Sequence, residues 1–98
     1  MNQPSTPSGD LAVAAATVVT ARPARLMTVT LTPAAAACSV IVYDNASAAS
    51  GTVLARIAQA ANAATISLPL EGGIVANAGL TVAVAGAGAI ANLSFIPE

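Results

Sequence analysis

The chain has 98 residues, and only seven are charged: Asp10, Arg22, Arg25, Asp44, Arg56, Glu71 and Glu98. There is no His, no Lys and no Trp, the formal net charge is −1, and 56% of the residues are hydrophobic. With a single Cys and four scattered carboxylates, the usual catalytic triads and transition-metal sites cannot be built. Three Arg neutralise few phosphates, and so hydrophobic a chain is not a disordered one. The expectation is therefore no enzyme, no cofactor, no metal site and no nucleic-acid partner.

A folded monomer of this mass exposes on the order of 5,000 Å². Seven charges over that area is about one per 700 Å², sparse for a freely soluble domain near zero net charge. Much of the surface is thus expected to be hidden, in a membrane or in a protein assembly. The stretches 26–43 and 72–97 carry no charge and are long enough to span a bilayer as helices. Residues 72–97, however, hold five Gly and two Asn, and their apolar content is largely Ala, which drives insertion weakly. They also alternate, which a lipid-facing helix has no reason to do. The apolar run 11–19 has no basic residue before it, so it does not read as a signal peptide.

The first nine residues, MNQPSTPSG, are rich in Pro and Ser and read as an extended arm ahead of a single domain over 10–98. In an assembly such an arm is expected to lie on a neighbour. Asp10 could cap a helix, yet Thr17-Val18-Val19-Thr20 reads as strand. In RLMTVTLT, Met27, Val29 and Leu31 alternate with Thr28, Thr30 and Thr32. After Thr32-Pro33, the run CSVIVY (38–43) is apolar on both faces, as in a central or interface-covered strand. DNASAASG (44–51) is a polar loop; Asp44 and Asn45 are expected to bond their own turn, since one carboxylate is too few for a Ca²⁺ cage.

VLARIAQAA (53–61) fits a helical stripe of Leu54, Ile57 and Ala61, or a strand face of Val53, Ala55 and Ile57. Its place between closely spaced strands favours strand. In ATISLPL, Ile66, Leu68 and Leu70 alternate with Thr65, Ser67 and Pro69, and Pro69 predicts an edge or an end. LTVAVA (80–85) and AIANLSFI (89–96) alternate again, and Gly86-Ala87-Gly88 between them reads as a hairpin turn. Period two in four segments outweighs the helix propensity of Ala. Seven or eight strands at short spacing predict an all-β fold: a two-sheet antiparallel β-sandwich, jelly-roll-like, with an Ala-packed core.

The runs SVIVYDNASAASGTVLARI and GGIVANAGLTVAVAGAGAIANLSF resemble segments of small virion structural proteins of tailed bacteriophages. In that group a strand ends in Tyr-Asp, a Ser/Ala/Gly loop follows, and Gly-Thr opens the next strand. Later an aliphatic segment leads to Gly-Leu, a Val-rich strand, a Gly-Gly hairpin and a last strand ending near the C-terminus. The likeness covers about residues 26–96. It implies a capsid decoration (cement) protein on the virion exterior, binding the major capsid protein and itself, with a trimer favoured. A tail, fibre or vertex-spike component is the alternative. A carbohydrate- or receptor-binding sandwich is a further one, weakened by having only Tyr43 and Phe95 as aromatic platforms. The residues expected at interfaces are Pro4 and Pro7 in the arm, Arg22 and Arg25 around Pro23, whose guanidinium groups suit carboxylates of a shell, and Ile41 and Tyr43 on the run that is apolar on both faces.

Overall fold

Alternation becomes two facing layers. In the computed structural model, which describes residues 6–97 with the side chain of Glu71 excepted, no described residue is helical. Eight strands form: β1 (Thr6–Pro7), β2 (Ala14–Thr20), β3 (Ala24–Thr32), β4 (Cys38–Asp44), β5 (Thr52–Gln59), β6 (Ile66–Ala76), β7 (Leu80–Ala85) and β8 (Ile90–Pro97). An isolated bridge joins Leu11 to Ala91.

Sheet A has the order β1-β8-β3-β6 and sheet B the order β2-β7-β4-β5. All pairings are antiparallel. The partners β1·β8, β2·β7, β3·β6 and β4·β5 are those of a chain folded once on itself and then rolled, so that alternate pairs fall in opposite sheets. This is a jelly roll. The ambiguous stretch 53–61 is strand β5, and Pro69 does lie on an edge strand, β6.

Three readings need correction. The Gly86–Gly88 turn is not a hairpin, because β7 and β8 belong to different sheets. It carries the chain across the sandwich, with Ala89 N–H donating to the Gly86 carbonyl at 3.1 Å. Gly86 has φ +104°, and a Cβ there would run into Ala37 and Cys38. A two-glycine loop is needed for that crossing as much as for a hairpin, which is why composition alone did not separate them.

Met27 does not share the core face with Val29 and Leu31. A register shift between Leu26 and Thr28 puts Leu26 in the core and leaves Met27 half-buried. A bulge adds one residue and so changes which parity faces inward. Asp44 does not bond its own turn either; its partners lie across the molecule, as described below.

The core lies between the sheets. Leu26, Val29, Leu31, Val40, Val42, Leu80 and Val82 are fully buried, joined by Ala24, Ala76, Ala89, Ala91, Leu93 and Phe95. It is made mostly of Val, Leu and Ala, as expected of a thin sandwich. Ile66 is exposed at the start of edge strand β6, while Leu68 and Leu70 pack partly against the core. Residues 6–8 are extended along β8 of the same chain: Thr6 pairs with Phe95 and Pro7 with Ser94, and Ser8 exchanges bonds with Leu93. Pro4 lies outside the described residues.

Candidate assembly surface

Each sheet turns one face to the core, and the other face of each is where function can reside. Cross-strand register defines these outer faces residue by residue, because directly opposed residues point the same way.

On sheet A, Asn92, Thr30 and Ser67 form one row and Ser94, Thr28 and Pro69 the next. The hydroxyls bond one another: Thr30 Oγ1 and Ser67 Oγ lie 3.1 Å apart, and Thr65 Oγ1 donates to Thr32 Oγ1 at 3.2 Å. Farther along, Ile96, Arg25 and Val75 make a third row. Arg25 Nη1 donates to the Gly72 carbonyl at 3.0 Å, so its charge is tied to the chain's own backbone. Arg22 sits apart from that row, exposed in the β2–β3 connection.

On sheet B, Val18, Thr81, Tyr43 and Val53 form one row across all four strands. Ala83, Ile41 and Arg56 form the next, and Ala85, Ser39 and Ala58 a third. Val18 is 45% exposed and Val53 40%; Ile41 and Tyr43 are half-buried. Thr81 is fully buried although it belongs to the outer face. It lies between Val18 and Tyr43, and its Oγ1 donates to the Asn45 carbonyl at 2.7 Å. Of the expected interface residues, then, Ile41 and Tyr43 meet on one face, and Arg25 is on the other.

The end of sheet B nearest Tyr43 is held by polar contacts. Asp44 Oδ1 accepts from Ala78 N–H at 2.8 Å and Oδ2 from Asn77 N–H at 3.1 Å. The Ala78 N–H chiefly holds the Asp44 carboxyl below its ordinary value of 3.8; the cost of burial opposes it, and the N–H groups of Asn77 and Gly79 add smaller lowering contributions. Asn45 Oδ1 accepts from Ser47 and Ala48 N–H, both at 2.9 Å, which is the local Asx turn expected of this loop. Gly79 is required by close approach: a Cβ would lie 2.5 Å from the Thr20 carbonyl oxygen. The β2–β3, β4–β5 and β6–β7 connections are thereby locked at one end, which fixes the Val18–Tyr43–Val53 row. Thr81 and Val18 were not singled out from sequence; the signal was the alternation of LTVAVA, which marks Thr81 as outward but not as covered.

Among the described residues there is no pocket for a small molecule. None of them form a cluster of three His, Cys, Asp or Glu able to hold a metal ion. Among the described residues no helix is long and apolar enough to cross a membrane. Comparison with protein-family models, with curated proteins and with solved structures returned no match.

Proposed function

We propose that this chain is a structural virion protein, a capsid decoration (cement) protein that sits on the outside of an assembled phage head and bridges capsid subunits. The observation that carries the reading is the outer face of sheet B. Its Val18–Thr81–Tyr43–Val53 row is a largely apolar band continuous over four strands, flanked by Ile41 and the exposed Arg56, on a domain without a pocket among its described residues. Such a face suits a broad, flat partner.

The jelly roll is used by viral capsid and lectin domains alike, so topology does not choose the function. Surface chemistry leans away from sugar binding: Phe95 is buried, which leaves Tyr43 as the one aromatic platform. Binding only the assembled shell stabilises that shell by mass action, and apolar area contributes about 25 cal/mol per Å² before association costs. In this reading Ile41, Tyr43, Val18 and Val53 face the major capsid protein.

The test is the copy number of this chain in purified particles of the virus that encodes it, by quantitative mass spectrometry. Hundreds of copies per particle are expected. About a dozen would move the site to a tail ring or vertex spike, and absence from particles would overturn the virion reading.

A further inference from the structure

A sheet edge is a row of unpaired backbone donors and acceptors, and proteins blunt such edges with Pro, bulges, short strands or charge. This sandwich has four edges, and three are blunted. β1 carries Pro7 in its two described residues. β2 departs from regular register twice, between Ala14 and Thr17 and between Val18 and Thr20. β6 carries Pro69 and is broken at Gly72-Gly73, both at φ +77°.

β5 is different. After one irregularity opposite Val42 and Tyr43, Ala55 to Gln59 run in unbroken register on β4. The strand has no Pro, no Gly and one charge, Arg56, which projects from the outer face and not along the edge.

We propose that β5 is an open pairing edge, and that its occupant is β5 of a second copy, related by a two-fold axis. Antiparallel pairing of β5 with itself joins the two copies of sheet B into one eight-stranded sheet. Three observations favour a second copy. The one open edge is complementary to itself by symmetry, because a two-fold contact uses the same patch on both sides. Its side chains around Arg56 are small or apolar (Ala55, Ile57, Ala58), so two strands can approach. An axis at Ile57 sets Arg56 opposite Ala58 of the other copy, which keeps the two cations apart.

An eight-residue strand is about 27 Å long, and the smallest extent of the molecule is 19 Å. That side of the whole sandwich thus measures on the order of 500 Å² per copy, of which the sheet B edge supplies about half, so the contact is a weak, concentration-dependent one on the scale of specific interfaces. Pairing also makes the two apolar outer faces continuous, which doubles the area offered to a partner. The number of copies is two, in place of the three expected from sequence; a ring of three needs a second, different edge, and the other edges are blunted. The inference concerns the chain in solution and stands apart from the virion reading.

The experiment is sedimentation equilibrium on the full chain, with amide hydrogen exchange at low and high concentration. A dimer is expected, with β5 amides exchanging at least tenfold more slowly at high concentration while those of β2 and β6 do not change. Ala58→Lys, which sets a new cation beside Arg56 of the other copy, is expected to give a monomer with an unchanged β-type circular dichroism spectrum. Ile41→Lys, one strand in from the edge, is expected to leave the dimer intact. A monomer at all concentrations, or a dimer without concentration-dependent protection of β5, overturns the proposal even if Ala58→Lys fails to fold. So does a dimer that survives Ala58→Lys and is lost with Ile41→Lys, since that places the contact on the outer face.

Discussion

The two outer faces are each built from four strands with the same alternation, yet they solve the problem of water in opposite ways. Sheet A carries Thr28, Thr30, Ser67, Asn92 and Ser94 over its middle, with hydroxyls bonded to each other across strands. Sheet B carries Val18, Ile41, Tyr43, Val53 and Ala83 over its middle, with Ser39 and Arg56 beside them, and its central Thr81 is buried and bonded to backbone. Neutral hydroxyls keep a face wet without charge, and they suit a face left in solvent. Aliphatic side chains in the same positions suit a face that is covered. A chain with seven charges cannot mark its surfaces by sign, so it marks them by hydroxyl against methyl.

Substitutions can break or sharpen this contrast. The largest effect belongs to the layer both sheets share. Leu26→Ala on β3 or Leu80→Ala on β7 removes a fully buried side chain and is expected to cost about 2–5 kcal/mol. Chemical denaturation checks it, and equal losses from both are expected because one core serves both sheets. A loss under 1 kcal/mol at either site would show a looser core than described.

Next comes Thr81→Val. The shape is kept, but the Asn45 carbonyl loses its 2.7 Å donor, which is expected to cost about 1–2 kcal/mol. The matched change on sheet A, Thr30→Val, removes a solvent-side hydroxyl and is expected to stay within about 0.5 kcal/mol. If the two changes cost the same, the burial difference between the faces has no energetic weight.

Asp44 gives a smaller effect with a pH signature. Its folded-state carboxyl titrates below the ordinary 3.8 because backbone N–H groups, Ala78 first, favour the anion. A depressed folded value contributes stability that is present above the unfolded value and is lost as pH falls through the folded one. Asp44→Ala is therefore expected to lower stability modestly at pH 7, with the gap to wild type closing below about pH 4. The same gap at pH 3 and pH 7 would show that the carboxylate is not what holds the β6–β7 loop.

Much of this was legible in the sequence. Alternation in 80–85 and 89–96 puts Leu80, Val82 and Val84 on one face of their strand and Ala91, Leu93 and Phe95 on one face of theirs, and all six are buried. CSVIVY, apolar on both faces, located the outward pair Ile41 and Tyr43. What stayed hidden has three physical causes. Bulges change parity without changing composition, so Leu26 and Met27 exchanged places. Short glycine turns serve hairpins and sheet crossings equally, so the jelly-roll path at Gly86 was not visible. Long-range bonds have no local signature: Asp44 reaches Asn77 and Ala78, and Thr81 reaches Asn45. Arg22 and Arg25 look like a pair in sequence, but one is exposed in a connection and the other is tied down on sheet A.

The most direct test of the proposed role sets one face against the other. Particles lacking this chain would be incubated with purified Ile41→Lys or with Thr30→Lys, and bound copies counted after sedimentation. Each substitution puts one Lys at the middle of one outer face, and neither touches the core. The account predicts wild-type occupancy for Thr30→Lys and at least a tenfold loss for Ile41→Lys; equal occupancy for the two, or loss with Thr30→Lys alone, would contradict it.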